Sequence, residues 1–461
     1  MDTEGAQVNR RLSNAAIRVS ITTLGCKSNQ YDSSALVELL SKGLFNIVPF
    51  AGPADACIIN TCTVTGKSDR EARQLIRKAR RTNPDAVLIV TGCYAEVGHD
   101  EISRIPDVDY IIGNAGKHKI IEYILKHRPK PGPVVVVGKG REGVHFSLRA
   151  RSASGRTSGR TRAYLKIQEG CSNACSYCII PKARGASRSL LLDEVSREIS
   201  LLVEKGFKEI ILTGIHLGLY GADMSPKAGI ASVIRLIEEK APLCRFRLSS
   251  LDACEVTDEL IGLLKDAKKV CRHLHLPLQS GDNTILRSMG RPYTREYYAE
   301  RVQRLFDTVP GISIGADVIA GFPGEGDKEF ENTYSLLKDL PLSYLHIFPF
   351  SRRKGTPAAS FSGQNHPAKI KERCSVLKGL DQGKRREFYG RFIGKDAQAL
   401  VESERDKATG LFSGWTDNYI PVILEHSRDL SNTIVNVRLM GLKGSAVAAL
   451  PLYNNPRGET L

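Results

Sequence analysis

The sequence predicts an α/β protein in three parts: an N-terminal open parallel sheet, a central partial TIM-like (βα)6 barrel, and a small C-terminal all-β barrel. Three observations predict it. Between residues 17 and 145, short apolar strands alternate with helix-like segments, the rhythm of a parallel sheet covered on both faces. From Ala163 a second series repeats strand and helix six times, which fits a partial barrel better than a flat sheet. Beyond Gly390 the pattern changes to short strands with Gly turns. A length of 461 residues agrees with about three domains.

In the first part IRVSITTL (17–24), ACIIN (56–60), AVLIV (86–90) and YIIG (110–113) read as strands, with helices near 34–42 and 68–81. The stretch 146–162 is a basic linker. Its core, RARSASGRTSGRTR, is rich in Ser, Gly and Arg and has no apolar surface to bury. Barrel strands are read at 163–167, 208–214, 245–250, 272–278, 312–320 and 344–350, separated by helical patterns such as 193–204 and 295–306. The barrel region runs from 163 to 390 and ends in a basic helical stretch from Pro367. In the last region, 391–453, DAQALVES, LFSGW, YIPVILE and TIVNVRL are strands; in the fourth, Val435, Val437 and Leu439 alternate with Asn436 and Arg438.

Lys and Arg number 66 against 50 Asp and Glu, a net charge of +16, which favours an acidic partner such as nucleic acid. The first residues carry no apolar core of signal-peptide length, and no stretch approaches the roughly 20 apolar residues of a membrane helix. A cytoplasmic protein without membrane contact is therefore expected. In that setting eleven cysteines argue for metal binding or catalysis rather than disulfides.

The first barrel strand runs into Cys171, Cys175 and Cys178, spaced C-x3-C-x2-C on one loop. Three thiolates so placed can hold three irons of a 4Fe-4S cluster and leave the fourth iron open. An open iron can chelate the amino and carboxylate groups of S-adenosylmethionine; electron transfer then releases a 5′-deoxyadenosyl radical that abstracts hydrogen. Zinc usually takes four ligands in structural sites, and no fourth Cys or His is evident nearby. The segment GCSNACSYCIIPKARGASRS resembles the signature of the radical S-adenosylmethionine superfamily and, more narrowly, of the methylthiotransferases, through Ile180, Pro181, Arg184 and Gly185. The resemblance implies that Cys171, Cys175 and Cys178 hold the catalytic cluster and that the backbone of Tyr177 meets the adenine of the cofactor.

Cys26, Cys62 and Cys93 each follow a predicted strand of the first part. Parallel strand ends emerge on one sheet edge, where ligands of open α/β sheets bind. The surrounding GCKSNQYDS, NTCTVT and GCYAE resemble three motifs of the methylthiotransferases. This implies a second 4Fe-4S cluster on these cysteines, which handles the sulfur, and a methylthiotransferase domain over 17–145. Cys57 reads as a small core residue. Cys244, Cys254, Cys271 and Cys374 show no ligand spacing and read as structural.

Around the barrel mouth, the resemblance implies cofactor contacts at the strand end carrying Gly214 and at Gln279, Asp317 and Gly321. His216 reads as a pocket-lining group rather than a general base. The cations of SRRKGTP (351–357) are candidates for phosphate or carboxylate, with a solvated loop the alternative. One departure stands out: where the family commonly has Ser-Leu-Glu-Pro, this chain has Ser250, Leu251, Asp252 and Ala253.

The helix after Cys62 carries Arg70, Arg73, Arg77, Arg80 and Arg81 within an arc of about 100°, suited to phosphates. Ala72, Leu75, Ile76 and Ala79 fall on the other face. Lys384, Arg385 and Arg386 add cations. The C-terminal barrel resembles the TRAM/OB-like RNA-binding module. It is charge-balanced, so RNA contact there would rest on local patches and on Phe412, Trp415 or Tyr419, which are equally plausible as core. The resemblance implies a methylthio transfer to C2 of N6-threonylcarbamoyladenosine in the anticodon stem-loop of tRNA, with electrons from a flavodoxin or ferredoxin. The motifs CKSNQY and GIHLG look most like that branch, although Asp32 stands where Glu is common. The alternatives are isopentenyladenosine in tRNA, a ribosomal-protein aspartate, or a non-catalytic RNA-binding iron–sulfur protein.

Overall fold

A computed structural model describes residues 16–41, 43–128, 131–138, 161–240 and 244–452. Most of the expected linker, and the ends of the chain, lie outside the described residues.

The first body is a six-stranded, all-parallel sheet. Its strands are β1 (Ile17–Thr23), β2 (Phe45–Val48), β3 (Ala56–Thr61), β4 (Val87–Gly92), β5 (Tyr110–Ile112) and β6 (Val134–Val136), in the order β2-β1-β3-β4-β5-β6. The sequence pattern marks four of these. The edge strands FNIV and VVV escape it because they are three or four residues long and only half-buried. Helices α1 (Lys27–Ser41) and α2 (Gly66–Thr82) cover the sheet. α2 buries Ala72, Ile76 and Ala79 against the sheet, the face that 3.6-residue spacing indicates. It starts where Thr65 accepts a hydrogen bond from the Ser68 amide. α1 begins seven residues earlier than its apolar spacing suggests, directly after Cys26. Its polar first turn is buried: Ser28 and Asn29 sit under the strand ends, so the signal there is hydrogen bonding rather than hydrophobic period.

The second body has the strands β7 (Ala163–Lys166), β10 (Glu209–Thr213), β11 (Arg245–Leu248), β12 (His273–His275), β13 (Ser313–Ala320) and β14 (Tyr344–Pro349); the short β8 (Gln168–Glu169) and β9 (Arg188–Ser189) pair aside. β11-β10-β7 and β12-β13-β14 are parallel sheets joined through the Phe246–Val270 bridge. The result is a six-stranded partial barrel in sequence order, open between β7 and β14. Helices α3 (Leu192–Glu204), α4 (Ile230–Lys240), α5 (Asp258–Asp266), α6 (Arg295–Thr308) and α7 (Asp327–Asp339) surround it, and α8 (Pro367–Gly390) leads out. The outward residues form one large apolar core. The inward residues are polar, because β11 and β12 alternate as Arg-Phe-Arg-Leu and His-Leu-His.

The third body is a closed five-stranded barrel, β15 (Asp396–Arg405), β16 (Phe412–Thr416), β17 (Pro421–Leu424), β18 (Ile434–Lys443) and β19 (Ala446–Pro451), ordered β15-β16-β17-β19-β18. Phe412 is buried in its core beneath the Arg405 guanidinium. Trp415 and Tyr419 stack on each other and close the end of the partial barrel where its strands begin. Tyr419 lies against His273 and under Arg247, and Trp415 under Arg162. These aromatics are interdomain packing, which removes them as free RNA-stacking platforms. Arg162, from the expected solvated linker, pairs instead with Glu402 at 2.7 Å. Lys384 and Arg385 are also internal: Lys384 donates to Lys338 O and Leu340 O, and Arg385 binds Asp381 and covers Tyr344. Among the described residues, no helix is long and apolar enough to cross a membrane.

The joint depends on Glu209. It is fully buried and accepts from Arg245 at 2.5 Å and Arg247 at 3.0 Å, while both arginines also donate to carbonyls of 415–417. Burial opposes its ionisation, but the arginines hold its carboxyl down at about 2. Glu209→Gln keeps the shape and removes the charge, leaving buried guanidinium groups unbalanced. The expected loss is about 3 kcal/mol or more. Trp415 is the chain's single Trp, so denaturant unfolding followed by its fluorescence reads the loss; an unchanged midpoint would show that the cluster contributes nothing.

Candidate metal centres and the pocket between them

Strands β1, β3 and β4 end side by side, with Thr23 beside Asn60 and Thr61 beside Gly92. Cys26, Cys62 and Cys93 follow on one sheet edge. Close passage of the loops requires glycine twice. Gly25 has φ +98°, and a Cβ there would sit 2.7 Å from the Cys62 sulfur; at Gly92, also φ +98°, it would sit 2.4 Å from Thr61 O. Asn29 staples the loops, donating to Leu24 O at 2.8 Å and Thr61 O at 2.9 Å. Cys62 and Cys93 are buried and Cys26 is exposed. Burial, with the neighbouring Cys93 and Cys26 sulfurs, pushes the Cys62 thiol up to about 11.

The barrel loop carries the second set. Cys171 N donates to Gly185 O, and Ser176 N and Oγ donate to Met289 O and Ser288 O, which fixes the loop on the barrel rim. His216 Nδ1 lies 3.5 Å from the Cys171 sulfur and its Nε2 is 2.6 Å from Glu255. Burial disfavours the imidazolium, but Cys171 and Glu255 prevail and raise His216 to about 10. Gly218 admits that carboxylate, since a Cβ there would collide with it. Arg291 is 3.7 Å from the Cys175 sulfur and 2.6 Å from Asp252. The acid of the departing Ser-Leu-Asp-Ala segment therefore acts one bond removed from a cysteine ligand candidate. Burial pushes the Cys178 thiol up to about 12.

A buried charge network joins the two sets. Arg184, on the short helix Ile180–Arg184 that follows Cys178, donates from Nε to the Cys93 sulfur at 3.2 Å, from Nη1 to Glu169 at 2.6 Å, and to Asn29. Lys166 binds Glu169 and Asp32, each at 2.5 Å, and Asp32 also receives Lys117 at 2.6 Å. All are at least nine-tenths buried. Burial opposes ionisation of Asp32, yet Lys117, Lys166 and Arg184 hold it well below the usual carboxylate range. Arg353 adds a second strap, reaching Asp69 and Thr63 at 2.6 Å, and Ser351 Oγ accepts from the Gly66 amide. Arg353 of the basic loop is thus a strut between lobes; Arg352 and Lys354 line an open hollow beside it.

Between the sets lies a cavity of about 170 Å³, lined by Val64 and Thr65 of the first lobe and by Tyr177, Gln279, Asp317, Ile319, Phe348 and Phe350 of the barrel. Gln279 has φ +71° and continues the β12 side of the pocket, donating its amide to Asp317 O at 2.8 Å. Gly214 packs on Gln168, whose Oε1 accepts from the His216 amide. At Gly321 a Cβ would meet Ile370 of α8 at 2.4 Å, so close packing of α8 requires this glycine. Cys57, Cys244, Cys271 and Cys374 are buried, whereas Cys254 is exposed rather than a core residue. Sequence spacing does not mark Glu255, Arg291, Lys117, Lys166, Glu169, His275 or His346. The alternation of polar and apolar residues in strands expected to be buried on both faces is the signal that points to the last of these.

Both cysteine sets suit an anionic thiolate-bound cluster: one has three sulfurs on three neighbouring loops and the other three on one loop, with a guanidinium or imidazole donor against at least one sulfur of each. Comparison with known proteins agrees. Residues 165–337 match the family described as Radical SAM superfamily, and residues 18–113 match Uncharacterized protein family UPF0004. The chain is 39% identical to the threonylcarbamoyladenosine tRNA methylthiotransferase MtaB of Bacillus subtilis, over 92% of this chain and 93% of that one. It is 38% identical to MtaB of Aquifex aeolicus, over 91% and 99%. To the tRNA-2-methylthio-N(6)-dimethylallyladenosine synthase of Syntrophus aciditrophicus it is 31% identical, over 91% of both. Among solved structures it resembles the radical S-adenosylmethionine methyltransferase TsrM of Kitasatospora setae, with a TM-score of 0.54 at 17% identity over 74% of each chain, a likeness of fold.

Cys62→Ala and Cys175→Ala are each expected to lower the iron of anaerobically reconstituted protein from about eight to about four atoms per chain. Cys57→Ala should leave it unchanged. Iron and sulfide analysis checks this; full iron content in either of the first two variants would remove that cysteine from its set.

Proposed function

Because the chain belongs to the family of radical S-adenosylmethionine tRNA methylthiotransferases, we propose that it attaches a methylthio group to C2 of N6-threonylcarbamoyladenosine beside the anticodon of tRNA. The observation that carries this is Arg184, which rises from the cysteine loop of the barrel and touches Cys93 of the other set. A reaction that joins sulfur to a carbon bearing hydrogen needs two reactive centres over one substrate, and this side chain ties them together.

Cys171, Cys175 and Cys178 would hold one 4Fe-4S cluster and Cys26, Cys62 and Cys93 the other. When bound, the clusters and S-adenosylmethionine supply the electron, the hydrogen-abstracting power, the methyl group and the sulfur. The chain's residues do the rest. His216 and Arg291 hold the Cys171 and Cys175 sulfurs, and Glu255 and Asp252 orient those two cations. Tyr177 and Gln279 line the cofactor side of the cavity. Ile319, Phe348 and Phe350 exclude water from it. The electron donor would be a small reductant of the flavodoxin or ferredoxin class, and the enzyme would work in the cytoplasm beside its tRNA.

α2 is the surface best suited to the RNA backbone. Its first turn is strapped to the pocket rim at Ser351 and Arg353, and Val64 and Thr65 just before it line the cavity. The arginine stripe divides in two. Arg73 is spent on Tyr94 and Glu101, and Arg80 on Asp109 and nearby carbonyls. Arg70, Arg77 and Arg81 stay exposed and lead away from the pocket. Phosphates of an anticodon stem would track along them.

Nucleoside mass spectrometry of tRNA from a deletion strain tests the activity. The 2-methylthio form of threonylcarbamoyladenosine should vanish and its precursor accumulate; an unchanged profile overturns the reading. Arg77→Ala combined with Arg81→Ala should raise the KM for tRNA several-fold near 0.15 M salt and flatten the log–log salt dependence by about 1.5–2. Arg73→Ala, which is engaged internally, should leave the salt slope unchanged.

A further inference from the structure

The floor of the cavity is unlike its walls. Three barrel strands send successive inward rows toward it: His273 and His275 from β12, Gly315, Asp317 and Ile319 from β13, and Tyr344, His346 and Phe348 from β14. The register sets Asp317 opposite His346 and Ile319 opposite Phe348. One layer is therefore polar, and the layer above it is apolar. In the polar layer Asp317 Oδ1 meets His275 Nε2 at 2.8 Å and His346 Nδ1 at 3.2 Å, and the two imidazoles stack with centroids 4.8 Å apart. Beneath them the Tyr344 hydroxyl bonds to His275 Nδ1 at 3.0 Å and His273 Nε2 at 2.8 Å. Gly315 is needed for this, since a Cβ there would lie 2.1 Å from the Tyr344 ring. The layer is held in place from below and beside, and it still offers bonding capacity upward. Asp317 Oδ2 and His346 Nε2 have no hydrogen-bond partner among the described residues; Asp317 lines the cavity, and the His346 side chain paired with it is 51% exposed.

Relatives of this chain act on adenosines whose N6 substituents differ sharply. Dimethylallyl is a hydrocarbon; threonylcarbamoyl carries a carboxylate, a hydroxyl and amide N–H groups. A hydrocarbon laid on this floor would strip water from Asp317 and His346 and return nothing. A substituent with both acceptors and donors would pair with each. Sites built to hydrogen-bond a substrate group reject analogues that lack it far more strongly than apolar pockets discriminate by size.

We propose that His346 and Asp317, braced by His275 and Tyr344, form the subsite that receives a polar, carboxylate-bearing N6 substituent and sets this enzyme against hydrocarbon-bearing adenosines. As an imidazolium, His346 donates through Nδ1 to Asp317 and through Nε2 to the carboxylate, and Asp317 Oδ2 accepts from the hydroxyl or an amide N–H. The subsite rests on the methylthiotransferase reading of the same pocket, but binding alone can test it. Two anticodon stem-loop RNAs of one sequence, bearing threonylcarbamoyladenosine or isopentenyladenosine, are titrated against the reconstituted holoenzyme with S-adenosylmethionine and no reductant. Methylthiolation is then measured after reduction.

The wild type should bind the threonylcarbamoyl RNA at least tenfold more tightly than the isopentenyl RNA. His346→Leu should erase most of that preference, weakening the first while leaving or improving the second. His346→Gln, which keeps a donor, should restore part of it. Reductive cleavage of S-adenosylmethionine should persist in both variants, separating a lost subsite from a collapsed pocket. Equal loss on both RNAs, or a preference that survives His346→Leu, overturns the subsite. A wild type that prefers the threonylcarbamoyl RNA yet methylthiolates neither would overturn the reaction and leave the subsite standing.

Discussion

The structure depends on a buried chain of charges, Lys117–Asp32–Lys166–Glu169–Arg184, that ends on the Cys93 sulfur. Its members come from α1 and the segment after β5 in one lobe, and from β7, β8 and the helix after Cys178 in the other. The three cations alone would not stay ionised at such depth, nor would the two carboxylates; each is tolerated because its neighbours neutralise it. Removing one member would leave an uncompensated buried charge, which typically costs about 3–5 kcal/mol. Such a network is a poor source of net stability but a strict specifier of geometry. Only one docking of the lobes satisfies every member, and that docking faces the two cysteine sets across one cavity.

The same logic explains Asp32. A longer acid at this position would have to fit among Lys117, Lys166 and Arg184 within a fully packed space. The aspartate is consistent with a pocket built around its exact reach, so its departure from the common pattern is a change in a structural strut rather than in chemistry.

The partial barrel is likewise organised by polarity inside and hydrocarbon outside. Glu209, Arg245 and Arg247 occupy the end where the strands begin, and the loop 415–419 of the C-terminal barrel closes over them. The His–Asp–His layer sits in the middle, and the cysteine loop lies at the other end. The C-terminal barrel therefore acts on the catalytic body as a plug, through aromatic rings that sequence reading could assign equally to RNA or to core. The packing of Trp415 and Tyr419 against Arg162, Arg247 and His273 decides the matter.

What the sequence determined by itself is what local spacing encodes. C-x3-C-x2-C within one loop, a cysteine after each of three strands, and the βα rhythm are short-range patterns, and the structure places each of them where the pattern indicates. The amphipathic face of α2 was legible for the same reason. The edge strands β2 and β6 and the barrel strand β19 were not, because short, half-exposed or small-residue segments carry little periodic signal. Only the tertiary structure decided which charges pair. Arg73, Arg77, Arg80 and Arg81 look alike on a helical wheel, yet Arg73 and Arg80 find internal partners and Arg77 and Arg81 find none among the described residues. Lys166 and Asp32 are 134 residues apart, and His275, Asp317 and His346 lie on three separate strands. Such partnerships follow from strand order and lobe docking, which bring distant positions within hydrogen-bond reach, and no local pattern records a distance between residues that meet only when the whole chain has folded.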